Sequence, residues 1–179
     1  DEVEELKRRV DRLVEEIRKL SEELLKRNRD VDREIKKRVK DLEDKVRKVI
    51  RDIEEGNLRK EEVEKVVRDV KRELEELERR VRELVKRTIE EAERSNEEVK
   101  RIIDEVEKEA DRLLEEKKEV RELDEVIKEI RRRLEKVHRD NRRVIDEVRR
   151  SNRDSERDIA EAVERLTRLL ETVLEKVKT

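Results

Sequence analysis

The chain contains no cysteine, proline, methionine, phenylalanine, tyrosine or tryptophan, and only one glycine in 179 residues. Without cysteine there is neither a disulfide nor a thiol redox centre, and the cellular compartment is left open. Without aromatic rings there is no platform for stacking bases, and one glycine cannot build a phosphate-cradling loop. The scarcity of turn-forming residues excludes sheets and turn-rich folds. No apolar run approaches the roughly 18 residues of a membrane span, and no leader-like hydrophobic core is present. The expectation is a soluble chain with no signal peptide or transmembrane segment, of unassigned localisation.

What is present is charge. Charged residues make up 60% of the chain and hydrophobic ones only 31%, with 53 Lys and Arg against 55 Asp and Glu, for a net charge of −2. A globular shape of this length would lack the apolar volume to fill its core. A long helical bundle escapes that problem, because its core is a thin seam needing about two apolar residues per heptad. The two signs of charge are interspersed, so no bulk attraction to nucleic acid or to an anionic membrane follows.

The seam is regular. Val3, Leu6, Val10, Leu13, Ile17, Leu20 and Leu24 lead through Asn28 to Val31, Ile35, Val39, Leu42, Val46, Val49 and Ile53, with gaps of three and four that alternate except at two doubled fours. The mean period of about 3.57 residues lies between a heptad seam and a straight helix, so the packing should be nearly straight and coiled-coil-like. Gly56 suits the left-handed position after a helix end, and Leu58 can cover the open end of the core. A second seam runs from Val63 through Val66, Val70, Leu74, Leu77, Val81, Leu84, Thr88, Ala92, Ser95, Val99, Ile102, Val106 and Ala110 to Leu113. Its steps repeat from Val70 to Thr88 to Val106, a period of 18 residues or five turns of a straight helix.

The second connection has no glycine, proline or capping residue. It is placed near Lys117 to Arg121 by spacing alone: Val3, Val63 and Leu123 lie 60 residues apart, as do Ile53, Leu113 and Val173. The expectation is therefore an all-α, elongated antiparallel three-helix bundle running up-down-up. It forms a single domain over 1–179, with helices at about 2–55, 59–117 and 121–178. The alternative is a continuous helix through 117–121, which would force the chain to oligomerise. Val14, Leu25 and Ile50 are expected to widen the seam.

Polar residues interrupt the seam where it should face inward, most densely over His138 to Ser155. Folding the helices back on one another brings Ser21 level with Ser95 and Asn96, and these level with His138 and Asn141. Asn28 falls level with Thr88, and Thr88 within a turn of Ser151 and Asn152. A buried amide or hydroxyl without a partner costs about 1 to 3 kcal/mol, whereas a satisfied set restricts register and partner choice. The expectation is a buried polar network of Ser21, Asn28, Thr88, Ser95, Asn96, His138, Asn141 and Asn152. Two alternatives stand beside it. These side chains could be solvated at the seam's edge, above all Ser95 and Ser151, whose neighbours Asn96 and Asn152 compete for the inward place. Alternatively, Ser95-x-x-Glu98 and Ser155-x-x-Asp158 could act as capping motifs that break the helices.

Little here supports chemistry. Glu135-x-x-His138 has the spacing used in di-iron bundles, but there is no second histidine, and Glu135 follows the seam residue Leu134 and should point outward. His138 is expected to hydrogen-bond Asn141 or a nearby serine. A histidine so placed could act as a weak pH switch, because a free imidazole titrates near about pH 6.5. No nucleophile and base can be paired. Arg131 to Arg157 is basic by roughly five charges and Glu90 to Lys118 acidic by about as much. The two stretches overlap across the second hairpin, so intramolecular pairing accounts for them. Catalysis, metals, cofactors, nucleic acid and membranes are not expected.

The straight 18-residue geometry, equal helices, Val/Leu/Ile/Ala seam and Glu/Lys/Arg surface resemble a computationally designed helical bundle. So do the polar layers at Ser21, Asn28, Thr88, Ser95, Asn96, His138, Asn141 and Asn152. Spectrin-like repeats are similar in topology, but their helices are roughly half as long and carry core aromatics. The resemblance implies a hyperstable structural scaffold with no natural biochemical function. The alternative is an interaction protein: a helical oligomer, a heterodimer subunit with a designed helical partner, or a caged switch in which one helix is displaced by a competitor.

Overall fold

The three-and-four spacing folds into three helices in the computed structural model, which describes residues 2–118 and 121–178. They are α1 (Glu2–Glu54), α2 (Lys60–Glu116) and α3 (Arg121–Lys178), packed as an all-α three-helix bundle. Each bound lies within a residue of the spacing-based expectation. A helix continuous through 117–121 is overturned: α2 stops at Glu116, and Lys117 and Lys118 form a turn. Glu119 and Val120, the rest of the expected connection, lie outside the described residues. Both α2 and α3 run unbroken through Ser95 and Ser155, so the capping reading of those serines also falls.

The end of α1 explains why the one glycine stands where it does. Gly56 has φ +73°, a conformation that costs a residue with a Cβ about 1 to 2 kcal/mol. It lets the amide of Gly56 donate to the carbonyl of Ile53 at 3.0 Å, and that of Asn57 to Asp52 at 2.9 Å, so the last carbonyls of α1 are satisfied. Leu58 then packs onto the core, as Ile53 does. Nothing lies within 4 Å of where a Cβ would stand, so Gly56→Ala should lower unfolding free energy through backbone strain alone, by about 1 to 2 kcal/mol in urea denaturation.

The packing divides into two compact units, each drawing on all three helices. The first comprises Asp1–Lys26 and Arg87–Arg150, the second Arg27–Lys86 and Ser151–Thr179. In the first, Leu6, Val10 and Leu13 of α1 meet Val106, Ala110 and Leu113 of α2 and Ile127, Ile130 and Leu134 of α3. The second unit is built the same way, from Leu42 and Val46, Val70, Leu74 and Leu77, and Leu166 and Leu170. Side-chain pairs set the directions within each unit. In the first, Glu2 meets Arg112 and Arg9 meets Glu105, partners that move in opposite directions along the chain, so α1 and α2 run antiparallel there. Asp11 pairs with Arg133, and Glu43 and Glu54 pair with Arg165 and Lys176, each 122 residues on, so α1 and α3 run parallel.

Because the true helical period differs slightly from the spacing of the seam, the inward residue shifts where two apolar residues are adjacent. Val67 and Ile103 are buried, while Val66 and Ile102 pack half-buried beside them. Val144, between Asn141 and Val148 on α3, is also buried. Leu25 and Ile50 do widen the core, but Val14 does not: it is 41% exposed, on the solvent side of α1.

Candidate functional site

Helical periodicity places four of the eight singled-out polar residues fully inside. Asn28, Thr88, Asn141 and Asn152 are 1 to 2% exposed, while Ser21, Ser95, Asn96 and His138 are half-buried. Side-chain hydrogen bonds join helices at these positions. In the first unit the Asn141 amide Nδ2 donates to Asn96 Oδ1 at 2.6 Å, linking α3 to α2. In the second, Asn28 Nδ2 donates to Asn152 Oδ1 at 3.1 Å and reaches Ser151 Oγ at 3.5 Å, linking α1 to α3. Ser155, an interruption outside the expected set, donates from Oγ to Asp32 Oδ1 at 3.3 Å. The adjacent pairs resolve differently. Asn152 takes the inward place over Ser151, whereas Ser95 and Asn96 share the edge and Asn96 makes the bond.

His138 is not joined to Asn141 or to a serine by any hydrogen bond among the described residues. One turn before Asn141, it instead lies at the edge of a shallow groove between α2 and α3, with Ile103, Asp104, Glu107, Leu134 and Glu135. Two buried amide atoms lack a partner within the described protein, Oδ1 of Asn141 and Nδ2 of Asn152, and both belong to α3.

Among the described residues, no group of three or more His, Asp or Glu side chains is placed to hold a metal, and no helix is long and apolar enough to cross a membrane. A groove between α1 and α3 in the second unit has a volume of about 320 Å³, with Ile35, Val39, Ile159 and Ala162 among its lining residues. Two of its cations are engaged: Lys36 with Asp32 at 2.9 Å, Arg165 with Glu43 at 2.6 Å.

Surface electrostatics are local. The hydrogen bond from Arg18 holds the Glu15 carboxyl below the usual range, and Arg112 does the same to Glu109 while bracing Glu116 at 2.8 Å. A carboxyl whose folded value lies below its unfolded one stabilises above the unfolded value and loses that contribution as the pH falls through the folded one. Glu109→Gln should therefore lose less stability than the parent on acidification from about pH 5 to about pH 2. The difference should be small, because the pair is solvent-screened, and it can be read from thermal melts at each pH.

The pairing expected for the arginine-rich stretch of α3 is only partial. Arg131, Arg133 and Arg149 reach Asp111, Asp11 and Glu93 on other helices, and Arg132 and Arg157 pair along α3 itself. Arg139, Arg142, Arg143 and Arg150 are exposed and form no ion pair among the described residues.

No protein-family model matches the chain, and no curated protein matches it. Among solved structures the chain is similar to a "Computationally designed three helix bundle", at 19% identity and a TM-score of 0.41, covering 99% of this chain and 82% of that one.

Proposed function

We propose that this chain is a structural scaffold, of the designed kind its sequence resembles, that catalyses no reaction and whose inward amides fix which helix faces meet. The observation that carries this reading is the pair of interhelical amide bonds, Asn28 to Asn152 and Asn141 to Asn96, set in a seam whose other buried residues are nearly all apolar. An asparagine inside such a seam weakens it but penalises every arrangement that leaves the amide unmet, so it selects one packing over its competitors.

A second reading has one observation in its favour. Both unpartnered buried amide atoms are on α3, so releasing that helix to water would restore their hydration. That is the behaviour of an interaction protein whose third helix exchanges. The two readings separate on incubation with a fluorescent peptide of residues 121–179. A scaffold should leave the peptide unbound over days at micromolar concentration. Uptake of the peptide with displacement of the resident α3 would replace the scaffold reading with the exchange reading.

A further inference from the structure

On α3 of the first unit, Asn141, Val144 and Val148 face the core and are buried. Arg139, Arg142, Arg143 and Arg150 stand three, four and eleven residues from one another on the opposite side of that helix, because steps of this size return to one face. All four are exposed, and no carboxylate of α1, α2 or α3 pairs with them among the described residues. Neighbouring arginines show what a pairing position looks like: Arg133 and Arg149, nearer the helix interfaces, reach Asp11 and Glu93. The stripe is interrupted only by Asp146, also exposed, which leaves it three charges positive.

We propose that this arginine stripe binds the phosphate backbone of duplex nucleic acid, an activity beyond the scaffold role. From Arg139 to Arg150 the guanidinium groups extend over about 16 Å of a rigid helix at 1.5 Å per residue. One strand of a duplex carries a phosphate about every 3.4 Å of axis but winds away from a straight helix, so each guanidinium can meet at most about one phosphate, roughly four in all. Arginine suits this contact, since its fork donates two parallel bonds to phosphate oxygens and it stays charged at any working pH. The absence of aromatic rings removes the stacking that single strands require, which favours the duplex. No side chain on the stripe is set to read base edges, so binding should be independent of sequence.

The test is fluorescence anisotropy of a labelled 20-base-pair duplex against the full chain at several salt concentrations. Four phosphate contacts give a slope of log K against log salt between about −3 and −4, so affinity should fall on the order of 100-fold between about 50 and 200 mM salt. A variant carrying Arg139→Gln, Arg142→Gln, Arg143→Gln and Arg150→Gln should lose that slope, while the four arginine-to-lysine changes at the same positions should keep most of it. A control with Arg8→Gln, Arg12→Gln, Arg72→Gln and Arg79→Gln removes the same charge from α1 and α2 and should bind as the parent does. Circular dichroism confirms that each variant is folded. Absence of duplex binding at about 50 mM salt, equal loss in the control, or binding of heparin without binding of the duplex would each overturn the proposal.

Discussion

Leu166→Ala should lower the unfolding free energy by about 2 to 5 kcal/mol, among the largest losses any single side-chain truncation here can produce. Leu166 is fully buried in the second unit, in a cluster that includes Leu42, Val46, Val70, Leu74 and Leu170. Truncation removes burial and leaves a cavity whose cost depends on how far the walls collapse. Many of the wall residues are valine and isoleucine, held to few rotamers by their branched Cβ, and the chain has no methionine to flow into the gap. The result should therefore fall in the upper half of the range. Val14→Ala, at an exposed position on α1, should change stability by less than about 0.5 kcal/mol. Guanidinium denaturation at fixed temperature reads both, and equal effects from the two would mean that Leu166 is not in a core.

Asn141→Leu should move stability the other way, raising it by about 1 to 3 kcal/mol. The change deletes a buried Oδ1 with no partner, which costs about 1 to 3 kcal/mol, and gains about 1.5 to 3 kcal/mol of apolar burial. Against this stand the lost bond to Asn96, about 1 kcal/mol, and the strain of a bulkier side chain, about 1 to 3 kcal/mol. Asn96 is half-buried, so water can take over its released Oδ1. Asn28→Leu should behave differently. It strips the partner from Asn152 Oδ1, whose Nδ2 already has none, and so leaves a fully buried amide unmet at both ends. That single change should gain little or lose stability, and adding Asn152→Leu should recover about 1 to 3 kcal/mol. If Asn141→Leu melted well below the parent, the amides would be contributing stability rather than selecting an arrangement.

How much of this was legible before the structure depends on the period of each signal. Alternating gaps of three and four placed all three helices to within a residue at each end, and the 60-residue spacing of Val3, Val63 and Leu123 located a turn that no glycine or proline marks. Single isolated polar residues in that pattern, Asn28, Thr88 and Asn141, all proved buried. Adjacent pairs were not legible. Ser95 with Asn96, Ser151 with Asn152 and Ile102 with Ile103 each offer two residues 100° apart around the helix, and a drift of a fraction of a residue decides between them. The place of His138 was missed for the same reason, since its neighbour Val137 takes the inward direction. Charge pairing was the least legible feature. Summed charge over residues 90–118 and 131–157 balances, but only side chains near an interface can reach across, and Arg139, Arg142, Arg143 and Arg150 lie on the far side of α3.

If the inward asparagines select one arrangement of the chain rather than hold it together, removing them should loosen its state of association. Light scattering of the parent beside an Asn28→Leu, Asn141→Leu, Asn152→Leu variant tests it most directly. The parent should give one species of 22.0 kDa. The variant should resist denaturant better yet distribute between that mass and multiples of it, because its seam no longer penalises alternative partners. A parent that already associates, or a variant that stays a single 22.0 kDa species and unfolds more easily, would contradict the account.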